Sequence, residues 1–539
     1  MQVVSVMSRV CVSLIGLMWM TALAAPLSDV ERVVAIGDVH GDYAALEQLL
    51  VQIELMDEAG HWRGGNTHLV SLGDLLDRGP ESRRVMDLLR RLEQQAARDG
   101  GQVHVLLGNH ELMNLTGDLR DVSAAEFAAF GGREGLLAVF AANGEYGQWL
   151  LSKPAALQIN DTLFVHGGLS DVFTSVDDIN QRTRQHLSLL KSQAEAALAW
   201  PAATPLLELT AEIQPQLSPE FFAAASDPVF GIDGPMWYRG NARCHPLIEQ
   251  PDLAANLARL GVERVVVGHT PTPTREIVNR FNGQVWMIDT GMLASVYRGK
   301  PRALELALQG DATTVRALPV DVARITLAAD LRTAARQRQE ILLEEGSINP
   351  GEDGLSAAYE GNNLRVTFEP LSKKKRRQQL AAYRLDSALN LGLLQPLAIR
   401  SHAGRTGVLR EALATVPERE RDFAPQSYCY RASANGTEYD LVSVFDSLIG
   451  KSDRTAENLR YDARMRQIVL ADNHGSFPTH ARLPAYRQQP TLSQALAARL
   501  RSLDQAQLQA LAGELLKPAQ IKAILQRRDK ILDWQRGKH

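Results

Sequence analysis

Short apolar runs of β-branched and leucine residues recur along the first half of the chain, and each stops abruptly on glycine and polar residues. Val33-Val34-Ala35-Ile36 leads into GDVHG (37–41), Leu69-Val70-Ser71-Leu72 into GDLLDRG (73–79), and residues 103–107 into GNHE (108–111). Leu163-Phe164-Val165 leads into HGG (166–168), and Val265-Val266-Val267 into GHT (268–270). A run this short with no polar face predicts a strand buried on both sides that delivers a polar residue at its C-terminal end. The pattern predicts one rim of one sheet furnished with functional side chains. A sixth motif, WYRG (237–240), joins them without such a run.

Elsewhere the pattern turns helical. Residues 181–227 are rich in Ala, Leu and Gln and broken at Trp200-Pro201 and Thr204-Pro205, which predicts a helical insert beside the motifs. Such an insert is placed to act as a cap that chooses substrates. Residues 326–343 predict an amphipathic linker helix, and 345–363 are Gly, Asn and Glu-rich punctuation. From Gln378 onward the chain reads as mainly helical, ending in three helices between Leu492 and Trp534, with Pro518 opening the last. The expected organisation is a domain over 29–320, a linker with a short α/β segment over 321–377, and a mainly helical domain over 378–539.

The N-terminus predicts export. Arg9 precedes an apolar stretch over 10–22, and Ala22-Leu23-Ala24 supplies a small-x-small cleavage pattern, so 1–24 reads as a signal peptide cleaved near Ala24. The expected location is periplasmic or secreted, with membrane contact only through the cleaved signal. Cys11 would leave with it, and Cys244 and Cys429 fall in different predicted domains, so no disulfide framework is expected. With 539 residues, 45% hydrophobic and 22% charged, and a net charge of −4, the chain suits an enzyme. It lacks the basic face of a nucleic-acid binder. The basic run 373–377 (KKKRR) reads as a solvated helix start.

The motifs share one chemistry. Phosphate esters resist attack by bulk water, and two divalent ions overcome this by acidifying a water and neutralising charge on the phosphoryl oxygens. Mixed carboxylate, amide and imidazole ligands suit Mn, Fe, Zn, Ni or Mg. Asp38 and His40 are assigned to the first ion, Asp74 bridges, and Asn109, His166 and His269 hold the second. Arg78 and Arg239 are placed to grip phosphate oxygens. His110, beside ligand Asn109, is the candidate general acid, and Asp77 its partner. Tyr297, after the last motif, is read as structural. The expected reaction is in-line displacement by a metal-bridging hydroxide.

GDxHG, GDxxDRG and GNHE followed by HGGL resemble the phosphoprotein-phosphatase branch of the calcineurin-like metallophosphoesterases. The wording MNLTGDLR, GPMWYRG, VVVGHTPT and IDTGM (288–292) is similar to its Shewanella-like protein phosphatases. The resemblance covers roughly 32–316. It implies an α/β (α+β) fold with a two-layer β-sandwich flanked by helices, a dinuclear site, and action on phosphomonoesters, often phosphotyrosine.

The C-terminal half resembles the middle of an atypical kinase in Ala381 to Gly407. Asp453 and Asn458 have the spacing of a kinase catalytic loop, and Asp472 follows the apolar run 468–471 as a metal-binding aspartate would. That resemblance implies nucleotide binding through these three residues. Against it, Glu369 stands where a nucleotide-binding lysine is expected, and Gln378 or Gln379 where its glutamate partner would be. Three functions therefore compete: a phosphoprotein phosphatase, a nucleotide or dinucleoside-polyphosphate hydrolase on the same scaffold, and a bifunctional or regulatory protein whose C-terminal half binds nucleotide or a partner.

Overall fold

The computed structural model describes residues 27–534 apart from short internal segments, the longer ones being 198–203, 320–339 and 418–435. The predicted signal peptide and most of the predicted linker helix lie outside the described residues, as does the Trp200-Pro201 break.

Ten strands form two five-stranded sheets. The first has the order β10 (Ala312–Leu318), β9 (Ala303–Gln309), β1 (Arg32–Ile36), β2 (His68–Ser71), β3 (Gln102–Val105). The second runs β4 (Ala156–Ile159), β5 (Thr162–Val165), β6 (Arg264–Val267), β8 (Val285–Met287), β7 (Val278–Arg280). Strands β1, β2 and β3 are parallel because the helices Tyr43–Gln52 and Ser82–Arg98 carry the chain back between them. Side chains alternate as strand geometry requires. Val33, Ala35, Val70 and Leu72 face Phe164, Val266, Trp286 and Ile288 between the sheets, while Val34, Ile36, Leu69 and Val105 pack outward against helices. The five motif-bearing strands are thus divided between two sheets rather than lined along one. Both layers bury both faces, so their apolar runs look alike in sequence.

The insert begins with the helix Val176–Ala197, and its Ile179, Leu187, Leu190 and Ala194 join the main core together with Phe221. Buried Lys191 donates from Nζ to the Leu115 carbonyl at 3.0 Å, tying the insert to the helix Asn109–Thr116 that carries the GNHE residues.

The C-terminal half holds an antiparallel sheet in the order β11 (Ser347–Gly351), β12 (Gly354–Tyr359), β13 (Asn362–Pro370), β15 (Arg405–Glu411), β14 (Leu397–His402). A small sheet joins β16 (Thr415–Pro417), β17 (Leu459–Asp462) and β18 (Gln467–Leu470). Between β13 and β14 the helix Lys373–Ala388 starts at KKKRR, capped by Ser372. The helices Gln494–Ser502, Gln505–Ala512 and Pro518–Leu532 close the chain. Pairing of β13 with β15 carries one sheet across position 377, so the expected boundary there divides a single sheet. β14 and β15 escaped the helical reading because charged and Gly-rich stretches such as RTGVLRE lack clean alternation.

The two halves share a core. Leu247 and Ile248, from the helix Pro246–Leu260 that follows WYRG, pack with Phe445, Leu448 and Leu496, and His245 donates from Nε2 to the Leu391 carbonyl. Cys244 is disulfide-bonded, contrary to the expectation from sequence. The cysteine bonded to it lies outside the described residues. Among the described residues no helix is long and apolar enough to cross a membrane.

Candidate active site

The loops after β1, β2, β3, β5 and β6 meet at one end of the sandwich and bury Asp38, His40, Asp74, Asn109, His166 and His269 together. The turns that deliver them are strained. His40, Asp74, Asp77, Arg78 and His269 all have positive φ, between 49° and 67°. Such backbone costs about 1–3 kcal/mol per residue and persists where surrounding contacts enforce it. Gly73, at φ 97°, permits the close approach of the two turns: a Cβ there would collide with the Gly108 backbone. Glu111 braces them, accepting the N–H groups of Asp74, Leu75 and Gly108, each at 2.8 Å.

The orientation of the imidazoles identifies what the cup holds. His40 donates from Nδ1 to the Leu76 carbonyl and His166 from Nδ1 to the Leu72 carbonyl, both at 2.9 Å. Each therefore turns an unprotonated Nε2 inward. His166 Nε2 faces Asn109 Oδ1 at 3.0 Å, Asp74 Oδ1 at 3.2 Å and His269 Nδ1 at 3.2 Å. His40 Nε2 faces Asp74 Oδ2 at 3.8 Å and Asp38 Oδ2 at 3.9 Å. Acceptors converge on acceptors with no proton between them, an arrangement that fits cations. The residues thus form two groups that share Asp74, and they suit two divalent ions. Asp38 also accepts the His269 N–H at 3.0 Å, joining the groups.

The ionisation tendencies agree. Burial and the neighbouring His110 lower His40 to about 3, and burial with Arg239 holds His269 well below its usual range. Both rings are held neutral, the form in which an imidazole can take a metal. Burial works against the Asp74 charge, but with no cation bound the imidazoles around it, which then lend a proton toward its oxygens, hold the carboxylate well below its usual range; bound ions would take over that role from His166. Burial, Asp289 and Asp74 push Asp38 upward in the absence of a cation.

His110 differs from the others. Its Nε2 lies 3.9 Å from Asp74 Oδ2, close enough to be counted with His40 and Asp74 as a possible metal group. However, its Nδ1 is bound to Asp77 Oδ2 at 2.6 Å, and Asn114 holds the other Asp77 oxygen at 2.9 Å. Burial opposes the charge on the ring, yet Asp74 and Asp77 raise its pKa, which favours the protonated form that a proton donor needs. Arg78 and Arg239 flank the cup. Arg78 reaches His40 Nε2 at 2.8 Å and touches the Tyr297 hydroxyl, while Arg239 donates to the His269 carbonyl at 2.8 Å and Thr270 Oγ1 at 3.0 Å.

Several site residues were not singled out from sequence. Glu111 supports Asp74. Asp289, from IDTGM, hydrogen-bonds Asp38. Tyr297, read as structural, stacks on His40 with ring centroids 5.5 Å apart. Asp121 stands at the mouth, and buried Glu126 lies behind Asp77. Glu111 lies within GNHE, Asp289 within IDTGM, and Tyr297 reads as structural, whereas no motif points to Asp121 or Glu126.

The proposed nucleotide residues sit differently. Lys451 is buried, with Nζ 2.9 Å from Asp453 Oδ1, 3.7 Å from Asp472 Oδ2 and 2.7 Å from the His474 carbonyl. Asn458 is engaged through its backbone, with Thr455 and Ala471. Glu369 pairs with Arg410 at 2.8 Å, Gln378 donates to the Ser476 carbonyl, and Gln379 accepts from Asn473. Among the described residues, the groups able to hold a metal are confined to the first cup and do not include Asp453 or Asp472.

Residues 31–273 match the family model described as calcineurin-like phosphoesterase. An uncharacterized protein of Schizosaccharomyces pombe is 34% identical over 292 residues, 52% of this chain and 79% of that protein. The chain belongs to the calcineurin-like phosphoesterases. Shewanella-like protein phosphatase 1 of Plasmodium berghei is 28% identical to this phosphoesterase over 50% of the chain and 69% of the relative. Among solved structures, the cold-active protein-tyrosine phosphatase of a psychrophilic Shewanella species is 29% identical, covering 54% of this chain and 82% of that one at a TM-score of 0.43. The family uses two divalent ions, and its match together with the two buried His/Asp groups makes this chain a metal-dependent hydrolase.

Proposed function

We propose that this enzyme is an exported phosphomonoesterase that dephosphorylates proteins, phosphotyrosine foremost. The observation that carries the reaction is the buried His110–Asp77 pair, with its protonated ring aimed beside the cup. Two divalent ions bound in the cup supply an acidified water and positive charge at the phosphoryl oxygens. Arg78 and Arg239 hold those oxygens from opposite sides. As water's oxygen joins phosphorus and the ester bond breaks, His110 gives its proton to the leaving oxygen, and Asp77 keeps the ring oriented.

Aromatic walls support an aryl leaving group. Tyr297 stacks on His40, and Trp237 stands edge-on to His269 with centroids 5.8 Å apart. Next to Tyr297, Val296 is 51% exposed, an apolar foothold for a peptide beside the cup. The likeness to a protein named a protein phosphatase supports the same substrate class. Export is supported by the predicted signal over 1–24 and by disulfide-bonded Cys244, since such bonds persist in oxidising compartments.

The test is metal content and phosphate release by residues 25–539 with Mn²⁺, wild type and Asp74→Asn, on phosphotyrosine and phosphoserine peptides and a dinucleoside polyphosphate. Expected are two ions per chain in the wild type and release that is fastest from phosphotyrosine. The variant should lose metal and activity together. Faster turnover of the dinucleoside polyphosphate would overturn the substrate assignment.

A further inference from the structure

The nitrogen that protonates the leaving oxygen lies between two carboxylates. His110 Nε2 is 3.9 Å from Asp74 Oδ2 on one side and 3.9 Å from Asp121 Oδ2 on the other. Asp74 is buried at the floor of the cup, whereas the Asp121 side chain is 36% exposed. In the mechanism proposed above the phosphoryl group binds over Asp74, which leaves the Asp121 side of His110 to the leaving group.

Asp121 is held in that position. Its carbonyl accepts the Arg78 N–H at 3.0 Å, and two residues on Ser123 donates to the Gly79 carbonyl at 3.2 Å. Its carboxylate faces Arg78, His110 and, electrostatically, Arg120, each of which also answers to another group. Arg78 Nη2 is 3.5 Å from Asp121 Oδ2, but this guanidinium is shared with His40, Tyr297 and, during turnover, the phosphoryl oxygens. Arg120, on the same loop, is tied to Asp118 at 2.8 Å.

We infer that Asp121 is a specificity-determining residue that selects the charge of the leaving group. Esters with an uncharged or cationic leaving group, such as a tyrosine in a basic segment, are favoured. Esters with an anionic leaving group, including nucleoside polyphosphates, are repelled. This rests on the phosphomonoesterase reading above and narrows its substrate class.

The experiment uses the manganese-loaded full chain and a pair of substrates that differ by one charge on the leaving group, phenyl phosphate and 4-carboxyphenyl phosphate. A second carboxylate within about 7 Å in a partly exposed site should weigh on kcat/KM by roughly five- to tenfold. Asp121→Asn should therefore shift the ratio of the two kcat/KM values toward the anionic ester by about that factor, and Asp121→Lys further. High salt should shrink the difference. The corresponding phosphonates, titrated by calorimetry, should show the same shift in the ratio of dissociation constants without any turnover. Ratios that stay within about twofold in both variants overturn the inference. Absence of turnover in the wild type would count against the phosphomonoesterase reading alone, because the phosphonate ratio still tests Asp121.

Discussion

The cup of the N-terminal half and the Asp453–Asp472 cluster of the C-terminal half look alike on paper. Each places aspartates just beyond a strand or in a loop at a spacing suited to a divalent ion. They differ in what already stands between the carboxylates. In the cup, unprotonated imidazole nitrogens, an amide oxygen and carboxylates face one another. In the C-terminal cluster the ammonium of Lys451 lies between Asp453 and Asp472 and is also bonded to the His474 carbonyl. The C-terminal carboxylates are thus already matched by one buried ammonium, whereas the cup gathers imidazole and amide acceptors around its carboxylates and keeps its cations, Arg78 and His110, at the edge. The kinase-like reading depended on a spacing that this lysine neutralises.

The largest effect that would sharpen the contrast is in the cup. His110→Asn should keep the ions bound but slow turnover by about 10²- to 10⁴-fold, because the leaving oxygen loses its proton donor. The raised pKa fixes the sign of the pH dependence: the active form is the protonated one, so kcat falls as pH rises through the raised value. Full activity in this variant, or loss of metal with loss of activity, would remove His110 from the role of acid.

The converse experiment is on the other side. Lys451→Met leaves Asp453 and Asp472 without their shared cation and should destabilise the C-terminal half by about 1–3 kcal/mol, discounted from a fully buried pair because Asp453 is largely exposed. If the lysine stands in for an ion, added Mg²⁺ should restore much of the lost thermal stability in the variant and do little for the wild type. A variant indifferent to Mg²⁺ would show that the two clusters differ in more than occupancy by an ammonium.

The same contrast explains what could be read in advance. The six cup residues were legible because each follows a strand whose apolar run ends in a distinctive turn, and strand ends gather at one rim whichever sheet they belong to. Two layers were expected from the family resemblance, but which motif-bearing strand lies in which layer was not legible, since doubly buried strands carry no mark of their layer. Asp121 and Glu126 were missed because their roles arise from a loop folding back over the 77–79 turn, a contact across more than 40 positions that no local pattern announces. Lys451 was overlooked inside GKSDR because a lysine there reads as solvated, yet it is among the most deeply buried side chains.

Glu126 provides the smallest but cleanest test of how the cup is braced. It is buried 2% exposed, faces the backbone of Asp77, and its Oε2 has no hydrogen-bond partner. Burial, reinforced by the Asp77 charge, pushes its pKa up to about 8 from 4.5. The folded protein therefore binds a proton that the unfolded chain has released between those values. Stability from this group is full below the unfolded pKa, declines as pH rises through the window, and is fully lost above about 8. Glu126→Gln keeps an oxygen for the Asp77 N–H but cannot ionise. It should therefore leave the melting temperature nearly unchanged at pH 5, raise it by a few degrees at about pH 8.5, and flatten the profile between. A parallel profile for wild type and variant would mean that Glu126 is paired by a group that already absorbs its charge, and the brace behind Asp77 would then be no weaker in alkaline solution than in acid.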